Sequence, residues 1–432
     1  MLHRLLPLAA IVLLAACAPP PDELYNRGQR LEQEGRYAEA ADHYIRALDG
    51  QPEMRKARGR LHVVGGILVT GYRADAAAAD PPGAADALLA LDALRGRTAA
   101  VGVVLDQVPP GFDAELAAAQ DAAIEFLIAA GADALDAGRF AEALTRFERA
   151  RRYRPDADQE DALRAFTYDA HLAWADAELA AGRYRAAYDR AEAARPSVGG
   201  DRTAEEVAVL QAEALGRGTL YAAVFPVEAR RGRDRADMPP DFLGAFDDLL
   251  ADEHWTRPPL FVATADPAEV RRLLRRRYNA DDRLDHPRRT ADLAADLRAS
   301  FGVASTLDRY VRTAEVFDRD SVTVDLRGGG QGTYARLQER VTLDAAVDWS
   351  IVTADRAGLV CEGTATAEAR GTVAIGEYSG RVRDLLLPAR DRNLFDEGRQ
   401  RDDERAVEAE LQERLAERLA GQVFDCLLRQ VQ

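Results

Sequence analysis

The sequence predicts an α+β protein in two parts. An N-terminal α-solenoid of helical repeats is followed by an α/β sandwich with a mostly antiparallel sheet and a long C-terminal helix. Three observations predict this. A spaced series of glycine, alanine and aromatic residues occurs twice in the first half. At Gly218 the texture changes from alanine-rich helical periodicity to strand-like alternation. The chain then ends in a stretch whose apolar residues recur at helical spacing.

At 432 residues the chain exceeds what one compact core holds, so at least two domains are expected. Hydrophobic residues make up 47% and charged residues 30%, ordinary for a folded protein. The formal charge of −16 repels phosphate backbones, so no nucleic-acid partner is expected. Lys56 is the only lysine, which leaves almost no room for Schiff-base or P-loop chemistry.

The first sixteen residues carry the sharpest local signal. His3 and Arg4 form a short polar start, and Leu5 to Leu14 an apolar run too short to span a bilayer. It ends in Leu14-Ala15-Ala16-Cys17. This resembles the bacterial lipobox, in which small residues precede the cysteine that becomes the mature N-terminus. The resemblance implies a signal peptide over 1–16 and a diacylglyceryl group on Cys17, a covalent lipid and the only non-protein group expected. One acyl chain binds membranes marginally, at ~0.8 kcal/mol per buried methylene, whereas two or three anchor stably. Ala18 rather than aspartate follows the cysteine, a pattern that implies sorting to the outer membrane, facing the periplasm. Pro19-Pro20-Pro21 within 17–22 reads as a stiff tether.

Residues 23–217 form the predicted repeat domain. The series Gly28, Leu31, Gly35, Tyr37, Ala40, Tyr44, Ala47, Pro52 returns as Gly131, Ala134, Gly138, Phe140, Ala143, Phe147, Ala150, Pro155, with every offset kept. This resembles the tetratricopeptide repeat, a helix–turn–helix unit of ~34 residues, with the two copies about three units apart. Small residues at Gly28 and Ala40 are expected to let paired helices approach. Gly35 and Gly138 are expected to supply the turn, Tyr37 and Phe140 to plug the space between helices, and Pro52 and Pro155 to end the second helix. A degenerate third copy runs through Trp174, Gly182, Tyr184, Ala187 and Ala191. Between the clear copies the chain is helical by composition, broken at Pro81-Pro82-Gly83 and Pro109-Pro110-Gly111. Thr203 and Glu206 have capping-box spacing and open a last helix that Gly216 and Gly218 close.

In residues 219–432 the predicted order is β-α-β-α-α-β-β-β-α. Leu220–Val227 reads as a strand, with Pro226 arguing for an edge or a bulge. Pro240–Glu253 is an amphipathic helix, Leu260–Ala263 a short strand, and Asp266-Pro267 a helix start. A helix over about Thr290–Ser300 precedes strands around Val322–Leu326, Val341–Ile351 and from Leu359. The final helix aligns Val407, Leu411, Leu415, Leu419, Val423, Cys426 and Leu427. The opening AVFPVE, the helix leading into FGV, and the meander before a long final helix resemble one shared fold. It is that of the curli-secretion lipoproteins, the lipoprotein activators of penicillin-binding proteins, and the amino-terminal domain of TolB.

Few constellations carry chemistry. Cys361 and Cys426 both face one core, which leaves a disulfide and a pair of buried thiols open. Arg271, Arg272, Arg275, Arg276 and Arg277 read as a solvated helix face, with an acidic partner as the alternative. Gly328–Gly332 lacks the lysine and helix of a phosphate loop and reads as a hairpin tip. No histidine has metal-ligand spacing, so no metal is expected, and Gly376–Gly380 misses the nucleophile-elbow spacing. No enzyme is predicted. The expected role is an adaptor in cell-envelope assembly that holds protein or peptide partners through its repeats. A curli-type transport subunit is the alternative, and a cell-wall enzyme the second.

Overall fold

A computed structural model of the chain describes residues 19–230, 238–277, 284 and 286–431; the lipobox and Cys17 lie outside the described residues. The chain is α+β, with stacked helices followed by a mixed sheet and a long final helix. The helices of the first half are α1 (Pro21–Gln33), α2 (Tyr37–Gly50), α3 (Arg55–Ala78), α4 (Pro81–Ala100) and α5 (Phe112–Asp136). They continue as α6 (Phe140–Arg151), α7 (Ala157–Ala180), α8 (Tyr184–Ala194) and α9 (Ala204–Gly218).

Local chemistry sets their ends. Pro21 and Pro81 sit in first turns, where a missing N–H costs nothing. The Asp80 carboxylate caps α4 by accepting from the Gly83 N–H at 2.9 Å. At α9, Thr203 and Glu206 exchange hydrogen bonds, 3.3 Å from the Glu206 N–H to Thr203 Oγ1 and 3.4 Å in return.

The chain divides into two compact units. One comprises residues up to Ala177 with Asp189–Val209; the other comprises Glu178–Tyr188 with Leu210–Gln432. In the first unit α1 to α6 pack each on the next around two apolar cores, centred on Tyr44, Leu61 and Leu91 and on Ile124, Phe147 and Leu163.

The second unit is built on a six-stranded sheet of order β3-β1-β4-β5-β6, with β2 also paired to β4. Its strands are β1 (Leu220–Val224), β2 (Glu228–Ala229), β3 (Val262–Thr264), β4 (Phe301–Asp325), β5 (Gln331–Thr353) and β6 (Leu359–Glu377). Its main helices are α10 (Phe242–Leu249, continued by a π-helical turn to Trp255), α11 (Pro267–Arg277), α12 (Pro287–Asp296) and α13 (Glu397–Leu428). β1 runs parallel to both β3 and β4, whereas β4, β5 and β6 form an antiparallel meander. One face of the sheet packs on α10 and α13 through Phe242, Phe246, Val347, Ile351, Leu411 and Leu419. The other packs on α11 and α12 through Phe225, Val270, Leu293 and Ala294. Leu179, Ala187 and Ala214 form a small separate cluster with Tyr184, Tyr188 and Leu210.

Two strand expectations are corrected. β1 is an interior strand rather than an edge; it ends before Pro226, so the proline never has to donate to a ladder. The strand expected around Val322–Leu326 is only the far end of β4, which begins at Phe301. Its first residues are buried on both sides and residues 313–321 are exposed on both sides, so only the last few, where half-buried Val322 and Val324 alternate with exposed Thr323 and Asp325, show the two-residue period.

Candidate functional site

The repeat residues assemble two alike hairpins. Gly28 on α1 faces Tyr44 on α2 so closely that a Cβ there would meet the ring at 2.6 Å. Gly131 on α5 faces Phe147 on α6, where a Cβ would meet the ring at 2.3 Å. Tyr44 and Phe147 are therefore the side chains that fill the gap between paired helices, and both are fully buried. Tyr37 and Phe140 do not; they open α2 and α6 and are half-buried. Phe140 instead stacks on Trp174 of α7, centroids 6.1 Å apart, and the Arg190 guanidinium lies 3.4 Å from the Trp174 centroid. Ala40, Ala47, Ala143 and Ala150 are fully buried in the same hairpins. Gly35 and Gly138 make the turns with φ of +75° and +71°, a conformation that costs other residues ~1–2 kcal/mol.

Cys361 of β6 and Cys426 of α13 form a disulfide, Cα atoms 6.5 Å apart, tying the sheet to its covering helix. The arginines of α11 mostly have local acidic partners: Arg271 with Asp248, Arg272 with Glu269, Arg277 with Asp296. Among the described residues no group of three or more His, Cys, Asp or Glu could hold a metal ion, and no helix is long and apolar enough to cross a membrane.

The site the sequence does not single out follows from the connections between strands. From β1 the chain crosses by α10, on one face of the sheet, to β3; from β3 it returns by α11 and α12, on the opposite face, to β4 on the other side of β1. Where neighbouring parallel strands send their connections to opposite faces, a crevice opens at their carboxyl ends, the usual ligand position in open α/β sheets. Such a cavity of about 250 Å³ is present here. Val224, Phe225 and Pro226 at the end of β1 and Ala265 at the end of β3 form its floor. Gly244, Asp247 and Ala251 of α10 face Pro267, Val270 and Arg271 of α11, with Trp255 closing one end.

Asp247 is the largely buried carboxylate of this cavity. Its Oδ1 accepts from the Val227 N–H at 2.8 Å, and its second oxygen has no partner among the described residues. Burial pushes the carboxyl up to about 7, and the charge of Asp248 adds to this; the Val227 N–H and Arg271 oppose it. Arg271 is engaged by Asp248 at 3.0 Å. The crevice thus offers apolar and aromatic walls with one carboxyl that changes charge near neutrality.

A second carboxylate is structural. Asp391 is buried and accepts from Tyr334 Oη at 2.6 Å and from Arg336 at 2.5 Å. Burial alone would push it up, but Arg336 and Tyr334 hold it below the usual carboxylate range. The group fixes the turn Ala389–Phe395 onto β5, where Tyr334 meets Phe395 edge-on.

No protein-family model matches the sequence, and no curated protein matches it. Among solved structures the chain is similar to the hypothetical protein CT253 of Chlamydia trachomatis, at 12% identity and a TM-score of 0.22, over 46% of this chain and 97% of that one.

Proposed function

We propose that the chain is an exported lipoprotein, anchored through Cys17 to the periplasmic side of the outer membrane, that works as an adaptor in cell-envelope assembly. The observation that carries this reading is the repeated hairpin, a glycine under a buried aromatic in both α1–α2 and α5–α6. Stacked units of this kind bury a continuous core and present an extended surface, whose general use is to hold proteins or peptides. The Cys361–Cys426 disulfide supports export, since such bonds persist in oxidising compartments. The element order of the second unit supports likeness to the curli-secretion, penicillin-binding-protein-activator and TolB amino-terminal fold.

The transport reading has one feature in its favour: β4 and β5 span 25 and 23 residues, long enough for a bilayer. Against it, both faces of the far half of β4 carry charge: across the bulge between Val316 and Asp318, Arg312 and Arg319 fall on one and Glu315, Asp318 and Asp320 on the other. A lipid-facing strand needs one apolar set.

The adaptor reading is tested by crosslinking in intact cells followed by purification of the full chain. A defined protein partner should be recovered from wild type and lost from Ala143→Trp, which overfills a fully buried contact in the second hairpin. Recovery of the same partner from a variant whose helices have melted would sink the reading.

A further inference from the structure

We propose that the crevice at the carboxyl ends of β1 and β3 binds a small organic cation with an apolar body, its amine paired with the free oxygen of Asp247. This goes beyond the adaptor reading and does not depend on it. The volume, about 250 Å³, suits a single ring with a short chain. Phe225 and Trp255 supply aromatic wall, and Trp255 is held edge-on against Phe424 with centroids 5.4 Å apart. An ammonium group favours such walls, through the negative faces of the rings.

The charges select the sign of the ligand. Among the described residues, Asp247 and Asp248 on α10 and Arg271 on α11 are the charged groups lining the cavity. With Asp247 ionised they sum to one negative charge, and Arg271 is already taken by Asp248. The N–H groups that open α11 are occupied too: Asp266 Oδ1 accepts from Ala268, and the Asp266 carbonyl from Glu269 and Val270. Among the described residues an anion would find no free donor there, while a cation finds an unmatched carboxylate oxygen. Binding a cation also offsets the cost of keeping Asp247 ionised in an apolar place.

The test uses the full chain and three probes of one shape: phenethylamine, phenethyl alcohol and phenylacetate, followed by calorimetric titration. Phenethylamine should bind at least about tenfold more tightly than either of the others. Its affinity should be level above the Asp247 titration near 7 and fall about tenfold per pH unit below it. Asp247→Asn, which can still accept from Val227, should lose this binding. So should Gly244→Leu, which fills the cavity mouth from an exposed helical position with open space above it. The proposal is overturned if the alcohol or the acid binds as well as the amine, if no probe binds the folded wild type at millimolar concentration, or if both variants bind like wild type.

Discussion

Asp247→Asn is expected to stabilise the second unit at pH 8 by about 2–4 kcal/mol and to leave it almost unchanged at pH 4. In the unfolded chain this aspartate titrates near 3.8; in the fold burial pushes it up to about 7. Between those values the folded state holds a proton that the unfolded state has lost, so acidification favours folding. As pH rises through 7 that advantage is gone, and the full cost of an ionised buried carboxylate is felt. Asparagine has the same shape and no charge. Scanning calorimetry of the full chain from pH 4 to 8 reads the effect as the difference between variant and wild type, which cancels the titration of other groups. The gap should widen with pH and level off above 7; a constant gap, or a variant less stable at pH 8, would contradict the burial of this group. A carboxylate kept at a cost in stability is what a binding site requires.

Gly131→Val is expected to cost about 3 kcal/mol, near the upper end of overpacking effects. The first added carbon would lie 2.3 Å from the Phe147 ring, and that ring is fully buried and stacked on Phe166 with centroids 5.6 Å apart. It has nowhere to go. Gly138 in the same hairpin provides the comparison, because nothing lies within 4 Å of a Cβ there and only its φ of +71° resists substitution. Gly138→Ala should therefore cost about 1–2 kcal/mol. Denaturant midpoints of the first unit separate the two; equal, small losses would mean that close helix approach at Gly131 does not hold this hairpin.

Much of the architecture was legible because the period of the apolar residues is itself the packing. The α13 stripe from Val407 to Leu427 is buried along its length, and β5 keeps Val341, Leu343, Ala345, Val347 and Ile351 on the covered face. The offsets from Gly28 to Pro52 found both hairpins, but they could not tell which aromatic fills each one. Tyr37 and Tyr44 are equally plausible in one dimension, and only the antiparallel return of α2 brings Tyr44 over Gly28. The length of β4 was hidden by its two environments. Ser305 and Thr306 are buried near its start, while Val316 and Phe317 are exposed farther along, so neither stretch follows the usual pattern. Asp247 was the least legible residue. It is one of 73 acidic residues, and its place at the crevice comes from a reversal of strand order between β1, β3 and β4 that no local spacing records.

Lipid anchorage outside the cytosol is tested by the mass of the mature protein in the membrane fraction of a diderm bacterium. The expected mature chain starts at Cys17, carries two or three acyl chains there, and has Cys361 and Cys426 blocked as one bridge. In the Cys17→Ser variant the folded protein should leave that fraction. A chain that keeps residues 1–16, has an unmodified Cys17 and two free thiols, or a Cys17→Ser variant that still pellets with membranes in high salt, would contradict it.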